Sequence, residues 1–129
     1  MKRIIYIVLT AVVLTLVPAT YACAQWEYKS TGHEGMYYVR DAKGKYGFVN
    51  ERGKLVIPCK WKFSKVFMSG LAKVMDASTD KWGVIDKTGK VLVPCKWKKI
   101  LIDPFSGDIK AMDDAGKWSN LDRTGKIVE

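Results

Sequence analysis

The sequence contains a single histidine, His33, and none of the common motifs of catalysis. One imidazole excludes a zinc site built from several histidines, and any Ser-His-Asp or Cys-His arrangement would have to use that ring. A phosphate-binding glycine loop, C-x-x-C and H-E-x-x-H are all absent. The adjacent acids Asp113 and Asp114 precede a turn at Ala115-Gly116, and successive extended residues point to opposite sides, which disfavours an acid/base pair. We expect no enzymatic activity and no catalytic, cofactor-binding or metal-binding residues; an enzyme that uses His33 is the alternative.

Acidic residues are few as well, and no apolar run is long enough to span a membrane. The chain has 13 acidic and 22 basic side chains, a formal net charge of +9. The apolar run Ile4 to Val17 has 14 residues, short of the roughly 20 that a membrane-spanning helix needs. It follows Lys2 and Arg3 and precedes the small-residue site Ala22-Cys23-Ala24, which is the form of a secretory signal. We predict a signal peptide at 1–24 and an exported protein of the periplasm, cell surface or extracellular space.

Cys23 leaves a second reading of this segment open. It would be a lipoprotein cysteine if cleavage fell before it rather than before Gln25, although Thr20-Tyr21-Ala22 resembles a lipobox poorly. Contact with a membrane is therefore expected only through the signal peptide or through a lipid on Cys23.

The rest of the chain is dominated by a segment that recurs every 36 residues. It reads K-Y-G-F-V-N-E-R-G-K-L-V-I-P-C-K-W from Lys45, K-W-G-V-I-D-K-T-G-K-V-L-V-P-C-K-W from Lys81, and K-W-S-N-L-D-R-T-G-K-I-V-E from Lys117. A fixed period in this range predicts an array of stacked supersecondary units. We assign 25–44 as an N-terminal cap segment and 45–129 as the repeat domain, with repeats at 45–80 and 81–116 and a truncated one at 117–129.

Each repeat predicts a β-hairpin. Aromatic and β-branched residues favour strands, and the predicted first strands are Tyr46–Asn50, Trp82–Asp86 and Trp118–Asp122. Each strand ends in an Asx-x-x-Gly sequence that is typical of a type I turn closed by a left-handed residue, with the glycines at Gly53, Gly89 and Gly125. The predicted return strands are Lys54–Trp61 and Lys90–Trp97, and a third strand follows at Leu71–Asp76 and Ile109–Asp113. Helical periodicity is absent beyond the signal segment.

Alternation along the return strand places Leu55, Ile57, Cys59 and Trp61 on one face. Pro58 and Pro94 cannot donate to a ladder, so each return strand must lie at an edge, be bulged or end there. The fold class is all-β: an antiparallel β-hairpin repeat array, arranged as a curled sheet or a short solenoid.

The pattern K-W-G-x-I-D-x-x-G-K-x-x-I-P, followed by an aromatic residue, resembles the WG (KWG) repeat of exported bacterial proteins. The resemblance covers Met36 to Glu129. It implies an interaction surface without an established set of catalytic residues. Two features depart from the family: Lys62 and Lys98 stand where an acid is common, and the array is short, so its open end would need a partner or self-association.

The recurring aromatic residues allow two interpretations, a binding role and a structural role. Tyr46, Trp82 and Trp118, with Trp61 and Trp97 on the return strands, would be stacking platforms for sugar rings or peptide if they were exposed. We favour a core role, because a repeated tryptophan buries roughly 150 to 250 Å² and because the small neighbours Gly47, Gly83 and Ser119 leave room for a ring packed flat on backbone. We therefore assign structural roles to these aromatic residues, to both glycines and to the three turn glycines.

The recurring lysines form the candidate binding surface. Stacking would align them in stripes: Lys54, Lys60, Lys62, Lys90, Lys96 and Lys98. Such stripes could hold an anionic partner through salt-sensitive contacts, or they could simply protect sheet edges. Because the chain is expected to be exported, nucleic acid is a poor candidate, and an acidic glycan or an envelope protein is a better one.

Cys59 and Cys95 occupy equivalent repeat positions, so a disulfide depends on the sheet arrangement. One continuous meander would place them about 14 Å apart, too far for a bond, whereas one hairpin per layer would bring them within range. Their position on the apolar face favours buried small hydrophobic side chains.

Overall fold

The computed structural model describes residues 26–128, which form twelve β-strands and, within that range, no helix. The predicted signal peptide and the alternative lipidation site at Cys23 lie outside the described residues. The all-β repeat architecture predicted from the sequence is confirmed.

The strands form three four-stranded antiparallel sheets, each a simple meander in chain order. The first sheet contains β1 (Tyr28–Lys29), β2 (Met36–Arg40), β3 (Tyr46–Asn50) and β4 (Leu55–Trp61). The second contains β5 (Phe63–Ser64), β6 (Leu71–Met75), β7 (Trp82–Asp86) and β8 (Val91–Trp97). The third contains β9 (Lys99–Ile102), β10 (Ile109–Met112), β11 (Trp118–Leu121) and β12 (Ile127–Val128).

One residue separates each sheet from the next. Lys62 lies between β4 and β5, and Lys98 lies between β8 and β9. Their backbone N–H groups donate to the carbonyls of Met75 (2.9 Å) and Met112 (2.8 Å), so each lysine already belongs to the following sheet. An almost continuous strand thus passes from one sheet to the next, which turns a corner without a loop.

The sheets divide the chain differently from the sequence repeats. The cap segment 25–44 supplies β1 and β2, which complete the first sheet together with β3 and β4. Repeat 45–80 supplies the second half of the first sheet and the first half of the second. A sheet therefore begins about halfway through each sequence period.

The predicted hairpin corners are confirmed. Gly53, Gly89 and Gly125 have φ values of 78°, 88° and 85°. In the second hairpin, the Gly89 N–H donates to the Asp86 carbonyl at 3.0 Å. The Asp86 carboxylate accepts from the backbone N–H groups of Thr88 and Lys90 at 2.8 and 3.1 Å. The same geometry closes the β2–β3 and β10–β11 hairpins at Asp41 and Asp113.

The return strands β4 and β8 lie at sheet edges and are bulged, as their prolines predict. Trp82 pairs with Trp97 and Val84 with Val93, so β8 has two residues more than β7 between these pairs. The one-face alternation predicted for the return strands is confirmed for Ile57 and Trp61, which are buried in the same cluster, but in β8 it fails at the bulge. Cys95, the equivalent of Cys59, packs against a different core cluster from Val93 and Trp97.

The core lies between the stacked sheets in two clusters. Between the first and second sheets, Phe48 and Ile57 pack against Ala72, Val74 and Ile85. The second cluster joins the other face of the second sheet to the third sheet; its buried members are Leu71, Val84, Val93, Trp97, Ile100, Ile102, Ile109, Ala111 and Leu121. The second sheet is therefore apolar on both faces, as an internal unit of a stack must be.

Polar contacts among four turns also connect the sheets, namely the β1–β2, β5–β6, β7–β8 and β11–β12 turns. The Glu34 carboxylate accepts from the N–H groups of Ser69 and Gly70, both at 2.8 Å. Lys87 donates to the Glu34 carbonyl at 3.0 Å, and Arg123, one period later, donates to the Ser69 carbonyl at 3.2 Å. We call this row of turn contacts the inter-sheet clasp.

Candidate binding surfaces

The glycines beside the recurring aromatic residues face the bulged strands. A Cβ on Gly47 would lie 2.4 Å from the Ile57 carbonyl oxygen, and one on Gly83 would lie 2.5 Å from the Val93 carbonyl oxygen. The space that we expected an aromatic ring to fill is thus occupied by the backbone of the return strand. In the third copy β12 ends, in the described chain, before the position of the proline, and Ser119 stands in place of glycine.

The recurring aromatic residues separate into two groups. Trp61 and Trp97, on the return strands, are 6% and 5% exposed. Tyr46 and Trp82 are half-buried, and Trp118, on the third sheet, is 41% exposed. The return-strand tryptophans therefore lie in the core, whereas the members at the start of β3, β7 and β11 reach the surface.

The candidate lysines lie on edge strands or just beside them, and their surroundings differ. Lys62 pairs with Asp80 at 2.8 Å. Lys60 lies 5.0 Å from the centre of the Trp61 ring, and Lys96 lies 5.3 Å from that of Trp97, so each ammonium covers the tryptophan beside it. Of the remaining candidate lysines, Lys54 and Lys90 follow an Asx turn, and Lys98 lies at a sheet corner.

The carboxylates are concentrated at the turns. Six aspartates accept backbone N–H groups there: Asp41, Asp76, Asp86, Asp103, Asp113 and Asp122. The Thr88 hydroxyl lowers the pKa of Asp86, with further help from the backbone of Thr88 and Lys90 and a smaller opposing effect of burial. The Thr124 hydroxyl acts on the pKa of Asp122 in the same way. Because these carboxylates are held at the corners, most of the strand lysines lie away from them.

A surface cavity of about 370 Å³ opens between the first and second sheets. Its lining residues are Tyr38, Tyr46, Phe63, Ser64, Lys65 and Trp82, and we call it the aromatic cavity. The Tyr38 and Tyr46 ring centres are 5.6 Å apart, and those of Tyr46 and Phe63 are 6.0 Å apart. The sequence pattern singled out Tyr46 and Trp82 but did not identify the other four lining residues.

Comparison with known families gives a match to the family described as WG containing repeat, at residues 46–76 and 82–118. The match covers more than half of the chain. The protein belongs to the WG-repeat family. No curated protein matches it.

The two WG-repeat matches contain the hairpin corners at Gly53 and Gly89, both bulged strands and all six candidate lysines. They also contain most of the aromatic cavity, while Tyr38 lies before the first match. The glycine of the WG pair is thus explained by strand packing, because it admits the bulge of the neighbouring return strand.

The residues considered for chemistry are dispersed over the WG-repeat fold. His33 is exposed in the β1–β2 turn, and Asp113 caps a different turn. In the described part of the chain no three His, Cys, Asp or Glu side chains are close enough to hold a metal ion. Cys59 and Cys95 belong to different sheets and form no disulfide with each other. Among the described residues no helix is long and apolar enough to cross a membrane.

Cys95 is a poor nucleophile because its thiol is partly buried. Burial, with a smaller effect of the Asp76 charge, raises the pKa of the Cys95 thiol to about 11. The thiol lies 3.8 Å from the Val74 carbonyl, to which it donates. Cys95 therefore stays protonated near neutral pH and behaves as a packed side chain.

Proposed function

We propose that this WG-repeat chain is an exported, non-catalytic interaction module of the cell envelope. The signal-like segment at 1–24 supports export, and the family supports a surface that binds other molecules. The observation that carries the proposal is the position of β4 and β8: both are bulged edge strands that present lysine side chains outside the core. The enzymatic alternative receives little support, since His33 lies in an exposed turn.

The lysine positions favour an acidic polymer, such as an acidic glycan, as the partner. Lys54, Lys60, Lys96 and Lys98 make no ion pair within the described residues, so their charges are available to an anion. Contacts of this kind release counterions and weaken steeply with salt. A structural spacer without a ligand and an envelope protein partner are the alternatives.

Binding of polygalacturonate at low and physiological salt tests this function. We expect affinity that falls steeply between the two conditions, and the variant Lys60→Ala/Lys96→Ala should bind more weakly and depend less on salt. Lys43→Ala/Lys110→Ala, which removes the same charge from other surfaces, serves as the control. If the affinity for polygalacturonate does not change with salt concentration, or if no binding is detected, the acidic-polymer function is rejected.

Export has a separate test. The mass of the protein recovered from its native cells should correspond to a chain that begins at Gln25, whereas a lipid-modified chain would begin at Cys23. An intact Met1 would contradict the proposed signal cleavage.

A further inference from the structure

The aromatic cavity interrupts the repetition of the array. Strand register aligns Tyr38, Phe63 and Lys65 with Lys73, Lys99 and Leu101 one unit later. Two lining positions remain aromatic in both units: Tyr46 aligns with Trp82, and Trp82 aligns with Trp118. Residues that recur build the stack in every unit, so residues that differ at one junction are not required for stacking.

At the next junction the equivalent space is occupied by the protein itself. Lys73, which stands at the Tyr38 position, extends from the second sheet to the third and donates to the Ile100 carbonyl of β9 at 3.0 Å. Its ammonium lies 5.7 Å from the centre of the Trp82 ring. Between the first and second sheets no lysine fills that position, and the cavity remains open.

The lining of the cavity combines ring faces with hydroxyl groups. Phe63 is 46% exposed, and its ring is tilted by 39° from that of Tyr46. Tyr38, Tyr46 and Ser64 add hydroxyl groups. Small-molecule sites have this composition, with apolar walls and a few polar groups that fix orientation. A volume of about 370 Å³ is at the small end of such sites and suits about one or two sugar rings rather than a protein domain.

The charge beside the cavity favours an anion. Lys65 lines the cavity, and its charge adds to the effect of burial that lowers the pKa of Lys73, whose own ammonium is directed to the third sheet. Neither has a carboxylate partner in the part of the chain that the structure describes. Aromatic cavities can also bind cations, but the Lys65 ammonium in the cavity wall opposes that, whereas a carboxylate placed beside Lys65 would pair with its charge.

We propose that the aromatic cavity binds one ring of an acidic sugar, with Tyr46 and Phe63 against its apolar face and Lys65 at its carboxylate. This proposal rests on the acidic-polymer function and assigns the selection among acidic polymers to the aromatic cavity. The edge-strand lysines then hold the charged polymer along its length, and the cavity selects a sugar that carries an acid group.

Calorimetric titration with trigalacturonate tests the site, with maltotriose as the neutral sugar and polyglutamate as the acidic peptide. We expect trigalacturonate to bind and Phe63→Ala to weaken it by about tenfold, the size of a lost ring contact. Lys65→Ala should reduce the preference for trigalacturonate over maltotriose, and Lys65→Arg should retain it. Phe105→Ala and Lys110→Ala are the controls, since Phe105 is 95% exposed in a distant turn. Circular dichroism verifies that each variant is folded.

The outcomes of this titration distinguish a failure of the cavity proposal from a failure of the acidic-polymer function. If polygalacturonate binds in a salt-dependent way but Phe63→Ala and Lys65→Ala leave trigalacturonate binding unchanged, the cavity proposal fails and the acidic-polymer function stands. If polyglutamate binds as tightly and with the same dependence on Phe63, the sugar assignment is overturned. If no acidic probe binds, both proposals fail.

Discussion

At the scale of single residues, the glycine that follows each recurring aromatic residue is the most constrained position. Gly83 lies under the β8 bulge, where an added Cβ would also approach the Cys95 sulfur to 2.7 Å. Contacts under 3 Å with backbone cannot be relieved by rotating a side chain. The cost of overpacking a tight site is about 1–3 kcal/mol.

We therefore predict that Gly83→Ala lowers the free energy of unfolding by about 1–3 kcal/mol, measured by urea denaturation. Ser119→Ala is the matched control, because it changes the equivalent position in β11, which already accommodates a Cβ; its effect should be small. Equal effects of the two substitutions would show that the bulge does not press on Gly83.

The role of a residue could be predicted from the sequence where the same residue type recurs in each repeat. It could not be predicted where the repeats differ. The turn glycines and the edge prolines have recognisable backbone requirements, so their positions followed from chemistry alone. The sequence pattern did not identify Tyr38, Phe63 and Lys65, because it consists of residues that recur and these three residues do not recur. The available signal was the departure itself: the aromatic residues Tyr38 and Phe63 occupy positions where the next unit has lysine.

At the scale of the elements, the hairpin corners depend on ionised aspartates. The lowered pKa of Asp86 means that the folded state holds its proton less tightly than the unfolded chain does. The stabilisation is complete above the unfolded pKa, near 3.8, and is lost as the pH falls through the lower folded value.

We predict that Asp86→Asn, which keeps the acceptor oxygen that Asn50 already provides in the first hairpin, reduces the loss of stability in acid below about pH 4. Asp86→Ala should cost about 1 kcal/mol at neutral pH, since the turn loses its side-chain acceptor. Urea denaturation between pH 2 and 7 measures both effects. An acid sensitivity of Asp86→Asn identical to that of the unaltered protein would exclude a role for this carboxylate.

The inter-sheet clasp is a second element-scale device. Burial raises the pKa of Glu34, but hydrogen bonds from the Gly70 and Ser69 backbone and the Lys87 charge outweigh it, and the net shift is downward. We predict that Glu34→Ala lowers the thermal midpoint by about 4–8 °C, corresponding to about 1 kcal/mol. Glu27→Ala, which removes a carboxylate just before β1, the outer strand of the same sheet, is the control. An unchanged midpoint would mean that the turns do not connect the sheets energetically.

Most strands were predictable, whereas the division into sheets was not. β3 and β7 have the predicted bounds, because aromatic and β-branched residues run up to an Asx turn. β1 and β5 contain two residues each, too few for alternation to show. Without them the hairpins looked like parts of one curled array, and the corners at Lys62 and Lys98 had no sequence signal.

At the scale of the whole molecule, the open face of the third sheet differs from the internal faces of the stack. Strand register places Phe48, Val84 and Asn120 at equivalent central positions. Phe48 and Val84 are fully buried, whereas Asn120 is exposed beside its pair partner Lys110. This outer face is mixed, since Leu101 and Val128, which complete the row of Lys110 and Asn120, are 54% and 43% exposed.

The short array was expected to need a partner or self-association at its open end, and no observation tests that expectation; we predict that the polar residues Lys110 and Asn120 oppose self-association. We predict that Asn120→Val with Lys110→Leu, which makes the row apolar, causes self-association that grows with concentration. Asn120→Ser is the control. Sedimentation velocity measures the change, and an unaltered protein that already dimerises at micromolar concentration would contradict the prediction.

The central claim is that recurring residues build the stack, while the residues that break the repetition bind the ligand. Backbone chemical shifts of the ¹⁵N-labelled protein, titrated with trigalacturonate, test it most directly. The claim predicts changes concentrated at Tyr38, Tyr46, Ser64 and Lys65, with little change at Lys99 and Leu101, the equivalents of Phe63 and Lys65 one unit later. Changes of equal size at both junctions, or spread evenly along β4 and β8, would contradict it.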